Sequence, residues 1–93
     1  MYEKIHTATK EMNKLIRLLG KKNIPFEVRA INVGEWPSLQ ICYPSCEECE
    51  VDAVSHSFSY GGKDGLIEIM SKYEIDVVGW LTAEEAEKYF EVF

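Results

Sequence analysis

Five apolar residues, Ile5, Ala8, Met12, Leu15 and Leu19, recur at the three-and-four spacing of one helical stripe, and Pro25 forbids that helix from running further. One amphipathic helix must therefore bury its face against whatever the remaining residues build. Ile16 widens the stripe, while Glu3, Lys10, Glu11, Lys14 and Arg17 point elsewhere. Arg17, Lys21 and Lys22 suit the negative end of the helix dipole, and Gly20 or Asn23 would supply a left-handed stop.

After Pro25 the pattern changes to short runs of β-formers. Residues 26–33 (FEVRAINV) alternate Phe26, Val28 and Ala30 with Glu27 and Arg29, and 39–43 (LQICY) and 51–58 (VDAVSHSF) read as two more strands. The turn at Gly34 to Pro37 and the polar loop SCEECE, Ser45 to Glu50, separate them. Asp64 reads as the N-cap of a short helix carrying Leu66, Ile67, Met70 and Tyr73. Ile75 to Leu81 fits either a short edge strand or an extended connector pinning Trp80 into the core. Thr82 and Glu85 have the spacing of a capping box, opening a last helix with Ala86, Tyr89, Phe90 and Phe93 inward. The expected fold is α+β in one domain over residues 1–93: an N-terminal helix, a three-stranded antiparallel meander, and two short C-terminal helices.

Apolar residues make up 46% of the 93 positions, enough to offset chain entropy over one compact core but not to spare a deep cofactor pocket. No apolar run is long enough to cross a membrane, and Met1 to Ile5 lack the apolar core of a signal peptide, so a cytoplasmic protein without membrane contact is expected. The net charge of −6 is divided unevenly. Lys4, Lys10, Lys14, Arg17, Lys21, Lys22 and Arg29 outnumber Glu3, Glu11 and Glu27 through residue 33, whereas Lys63, Lys72 and Lys88 face thirteen carboxylates thereafter. Attraction between packed neighbours of opposite charge is the simplest consequence, and direct nucleic-acid binding is disfavoured.

Cys42, Cys46 and Cys49 have the C-x3-C-x2-C spacing of a radical-SAM cluster motif, but the chain is too small for the partial barrel that chemistry needs. With His56 they would make a Cys3His zinc set; otherwise Cys42 packs as a small apolar residue and the other two lie in an exposed loop. Three thiols, an odd number, argue against a disulfide framework, and neighbouring acids argue against a reactive thiolate. Ser59 to Gly65 (SYGGKDG) lacks the phosphate-loop frame and reads as a glycine turn. Strand alternation would turn His56 away from Ser55 and Ser57, so no nucleophile and base are paired and no enzyme is expected. No cofactor is called for.

The acidic residues leave a surface function. Glu47, Glu48, Glu50 and Asp52, with Asp64, Glu68 and Asp76, would face a basic protein partner, or mimic nucleic acid as acidic inhibitors do.

Three stretches, KKNIPFEVR (Lys21 to Arg29), HSFSYGG (His56 to Gly62) and VVGWLTAEEAEKYF (Val77 to Phe90), make the chain resemble a group of small proteins encoded by phages and prophages of gut Firmicutes. The resemblance spans most of the length and carries no catalytic signature. It implies a phage or prophage product that binds a host or phage protein, in the manner of anti-CRISPR and other host-modulating factors.

Overall fold

The computed structural model describes residues 2–72 and 76–91, with side chains from Lys10 onward. Helix α1 (Tyr2–Lys21) is followed by five strands, β1 (Glu27–Ile31), β2 (Ser38–Tyr43), β3 (Val51–Val54), β4 (Ile67–Ser71) and β5 (Val78–Leu81). A short helix α2 (Ala83–Glu87) and a 3-10 turn (Lys88–Phe90) complete the described chain. The strands form one antiparallel sheet in sequence order, β1-β2-β3-β4-β5. The three-stranded expectation is therefore corrected to a five-stranded meander.

Both extra strands have identifiable causes. The segment after Asp64 is no helix: Gly62–Asp64 is one 3-10 turn between Gly61 and Gly65, both left-handed, and strand β4 follows. Ile67 and Ile69 are buried while Glu68 and Met70 are not, a period of two that pairs with β3 through Ala53↔Ile69 and Asp52↔Met70. Asp64 accordingly caps no helix and is instead the last residue of that turn, whose N-cap is Gly61. Val78 to Leu81 takes the edge-strand alternative, and Trp80 stands exposed instead of pinned in the core. The third strand ends at Val54, four residues earlier than its β-formers suggest. Tyr73, Ile75 and Phe93, assigned above to helix, strand and core, lie outside the described residues.

Met12, Leu15 and Leu19 of α1 are fully buried, each worth roughly 1.5–3 kcal/mol of apolar transfer. They pack with Ile41, Val51, Ala53, Ile67, Ile69, Ala83, Ala86 and Phe90 into one core between the helices and the sheet. Asn23, with φ 56, supplies the left-handed stop, and Asn23 N–H to Gly20 C=O and Ile24 N–H to Leu19 C=O complete a Schellman end. Gly20 itself is helical. The capping box forms: the Thr82 hydroxyl accepts from Glu85 N–H at 3.3 Å, and the Glu85 carboxylate accepts from Thr82 N–H at 3.0 Å.

Part of the divided charge is spent inside the fold. Lys14 pairs with Glu84, Lys22 with Glu87 and Glu91, and Glu11 accepts from Ala83 N–H at 2.8 Å, so the basic helix is clamped to the acidic C-terminal segment.

Candidate functional site

Register places Val28, Ile41, Ala53, Ile69 and Val78 in one row across the helix-covered face. The alternate row, Arg29, Gln40, Val54 and Glu68, lies on the opposite face. Cys42 belongs to this opposite face, beside Asp52, and the turn after Pro44 folds Cys46 and Cys49 back toward it. Burial, then the hydrogen bonds that its S–H donates to Cys46 and Cys49, pushes the Cys42 thiol far above its ordinary range, and burial also raises Cys49. Cys49 Sγ–H donates to the Val51 carbonyl at 3.4 Å. Cys42 and Cys49 are thus held protonated, which does not suit a nucleophile.

His56 does not join them. It lies beyond the end of β3 at Val54, whereas Cys42 pairs with Asp52 within that strand, and its Nδ1 accepts from Phe58 N–H at 3.2 Å. No group of three or more His, Cys, Asp or Glu side chains suited to a metal ion occurs among the described residues. The serines near His56 are committed to the backbone: Ser55 Oγ–H donates to Leu66 C=O at 2.9 Å, Ser57 Oγ accepts from Glu35 N–H at 2.8 Å, and Ser59 Oγ–H donates to His56 C=O at 2.8 Å. Because β3 stops at Val54, these residues form a buried turn, and strand alternation does not govern which way His56 faces.

The acidic candidates separate into two pairs. Glu47 and Glu48 are exposed in the turn between β2 and β3. Glu50 is paired with Lys72 at 3.1 Å, and Asp52 accepts from Gln40 Nε2 at 2.7 Å, within a chain that continues from Gln40 Oε1 to Arg29 Nε.

A different cluster stands out at the other end of the sheet. Tyr60 and Trp80 stack with ring centroids 5.5 Å apart and planes 5° apart, yet they are 51% and 57% exposed. Phe58, two residues before Tyr60 on the same turn, is 74% exposed. The stack is built by backbone. Two residues, Gly79 and Trp80, lie between the pairs Ile67↔Leu81 and Ile69↔Val78 and face Glu68 alone, a bulge that holds Trp80 at φ 54. Trp80 N–H donates to Tyr60 C=O at 3.1 Å, and Tyr60 N–H donates to the Glu68 carboxylate at 3.0 Å. A methyl group on Gly61 would meet the Trp80 Cα at 2.8 Å, and one on Gly79 would collide with the Tyr60 side chain. Sequence reasoning passed over this pair because the two rings are twenty residues apart. The available signal was the glycine next to each aromatic, Tyr60-Gly61 and Gly79-Trp80.

Two surface clefts open elsewhere, one of 270 Å³ beside Tyr43 and Phe90 and one of 220 Å³ beside Cys49 and Met70. Among the described residues, Trp36 Nε1, Ser38 Oγ and Glu87 Oε2 are buried without a hydrogen-bond partner, and these three residues line neither cleft. Among the described residues no helix is long and apolar enough to cross a membrane. No protein-family description, curated protein or solved structure matches the chain.

Proposed function

We propose that this protein is a small protein-binding accessory factor that grips an arginine-bearing segment of its partner with the Tyr60–Trp80 stack. The observation that carries the reading is an exposed, stacked aromatic pair held by a left-handed Trp80 and two glycines that tolerate no side chain. Strained non-glycine backbone beneath a solvent-facing ring lowers stability, so a use outside the fold is its natural rationale. Rigid Tyr and Trp faces are the usual anchors of protein interfaces, and a guanidinium stacks well on an aromatic face with a carboxylate at its edge. Glu68 supplies that carboxylate at the foot of the stack, and exposed Asp64 and Asp76 add to the negative field of this half of the chain.

The acidic nucleic-acid mimic draws less support. Glu50 and Asp52 are engaged within the fold, leaving Glu47 and Glu48 as an isolated pair at the far end. The stretches HSFSYGG and VVGWLTAEE, on which the resemblance to phage and prophage proteins rests, supply Tyr60 and Trp80, and that setting favours a host protein in a bacterial cytoplasm as the partner.

Capture from a bacterial lysate by the wild-type chain is compared with capture by Trp80→Ala, Tyr60→Ala and the double variant Glu47→Gln/Glu48→Gln, with circular dichroism confirming that each is folded. Proteins retained by the wild type and the glutamine variant but lost from both aromatic variants support the reading. Equal retention by Trp80→Ala would sink it.

A further inference from the structure

The two sheet edges are protected very unequally. Strand β5 is four residues long, broken by its bulge, and its Trp80 N–H is already taken by Tyr60. Strand β1 is five residues in unbroken register with β2, and Glu27, Val28, Arg29 and Ala30 are all exposed along it. No backbone hydrogen bond from a described residue caps its outer side. An edge of this kind exposes a row of unpaired N–H and C=O groups that another strand would satisfy.

What distinguishes β1 is its charge pattern. Glu27 and Arg29 lie two residues apart and so share the face away from the helices, while Val28 and Ala30 share the other. A single-sign edge would repel a second copy of the chain. Opposite charges at this spacing instead match their own reverse: in an antiparallel pair centred on Val28, each Glu27 stands opposite the other copy's Arg29, Val28 meets Val28, and Phe26 meets Ala30. Shifting the centre by one residue sets Arg29 against Arg29, so charge also selects the register. The two groups retain capacity for the new bonds. Arg29 uses only Nε, toward Gln40, and Glu27 uses only Oε1, toward Cys46 N–H at 2.7 Å, among the described residues.

We infer that the chain pairs with a second copy of itself through β1, joining two five-stranded sheets into one ten-stranded sheet with both helical layers on the same side. The contact is short, so association is weak, with a dissociation constant on the order of 10 µM to 1 mM.

Sedimentation equilibrium across that range is the test, with Glu27→Arg, Arg29→Glu and the double exchange carrying both substitutions. The expected result is a wild-type mass rising to twice the monomer's 10.7 kDa, each single variant remaining monomeric, and the double exchange recovering the dimer. Circular dichroism on every variant checks that β1 remains folded, and Val28→Pro, which blocks strand pairing without altering charge, must also stay monomeric. A wild type that is monomeric at about 1 mM overturns the inference and leaves the edge to a strand from another protein. Single variants that still dimerise, or a double exchange that does not, also overturn it, because association would then use another surface.

Discussion

The indole of Trp80 lies flat on the phenol ring of Tyr60, 5.5 Å between centroids, while the Trp80 backbone sits at φ 54. A left-handed conformation costs a residue with a Cβ roughly 1–2 kcal/mol, whereas glycine's extra freedom in the unfolded chain costs about 0.5–1 kcal/mol. Trp80→Ala and Trp80→Gly both remove the stack, so their difference isolates the backbone term. Trp80→Gly is expected to be the more stable of the two by about 0.5–1 kcal/mol. Urea unfolding with equal m-values measures it; a more stable alanine variant would show that the strain is not there.

The pairs between α1 and the C-terminal segment set a pH profile. Hydrogen bonding from Lys14 lowers Glu84, hydrogen bonds from the Thr82 backbone and hydroxyl lower Glu85, and Lys22 lowers Glu91, all below the ordinary 4.5. Their contributions are therefore complete above pH 4.5 and lost as pH falls through the lower folded-state values. Lys14 and Lys22 are raised above 10.5 by the same partners, so their contributions hold below pH 10.5 and fade as pH rises through the folded values. Stability should form a plateau between these limits, shallow because the paired surfaces are wet, and shallower in high salt. Carboxyl titration by NMR checks the acid side: Glu84 should titrate below 4.5 and return toward it in Lys14→Met. Unchanged titration in that variant counts against the pairing.

The parts that local chemistry determines were the legible ones. The α1 stripe from Met12 to Leu19, the Asn23 stop, the first two strands and the Thr82 capping box each need residues only a few positions apart, and each formed. The segment from Leu66 to Met70 was not legible in that way, because four apolar residues in five fit a helix or a strand equally well. Pairing decides it: without Ile69 beside Ala53, strand β3 would be left with an open edge. The Tyr60–Trp80 stack was less legible still, since it depends on a bulge and on a turn folding across the sheet. Cys42 matched one of the two readings weighed for it, a small apolar residue packed in the sheet, and no group of three or more side chains suited to a metal ion occurs among the described residues.

The packed cysteines make the last prediction. Alkylation by iodoacetamide requires a thiolate, and Cys42 is fully buried with its thiol pushed far up by burial and by the hydrogen bonds its S–H donates to Cys46 and Cys49. Cys42 should be modified only as fast as the whole domain unfolds, and denaturant should release it together with the loss of secondary structure. Cys49 is reachable, but burial raises its thiol above the ordinary 9.0, so its rate should keep climbing about tenfold per pH unit past the point where an unfolded control peptide levels off. Added zinc ions should leave this pattern unchanged, because no group of three or more His, Cys, Asp or Glu side chains suited to a metal ion occurs among the described residues. Site-resolved mass spectrometry of the labelled chain reads all three outcomes. Rapid labelling of Cys42 in the folded protein, or its protection by stoichiometric zinc, would mean that the cysteine turn opens away from the sheet.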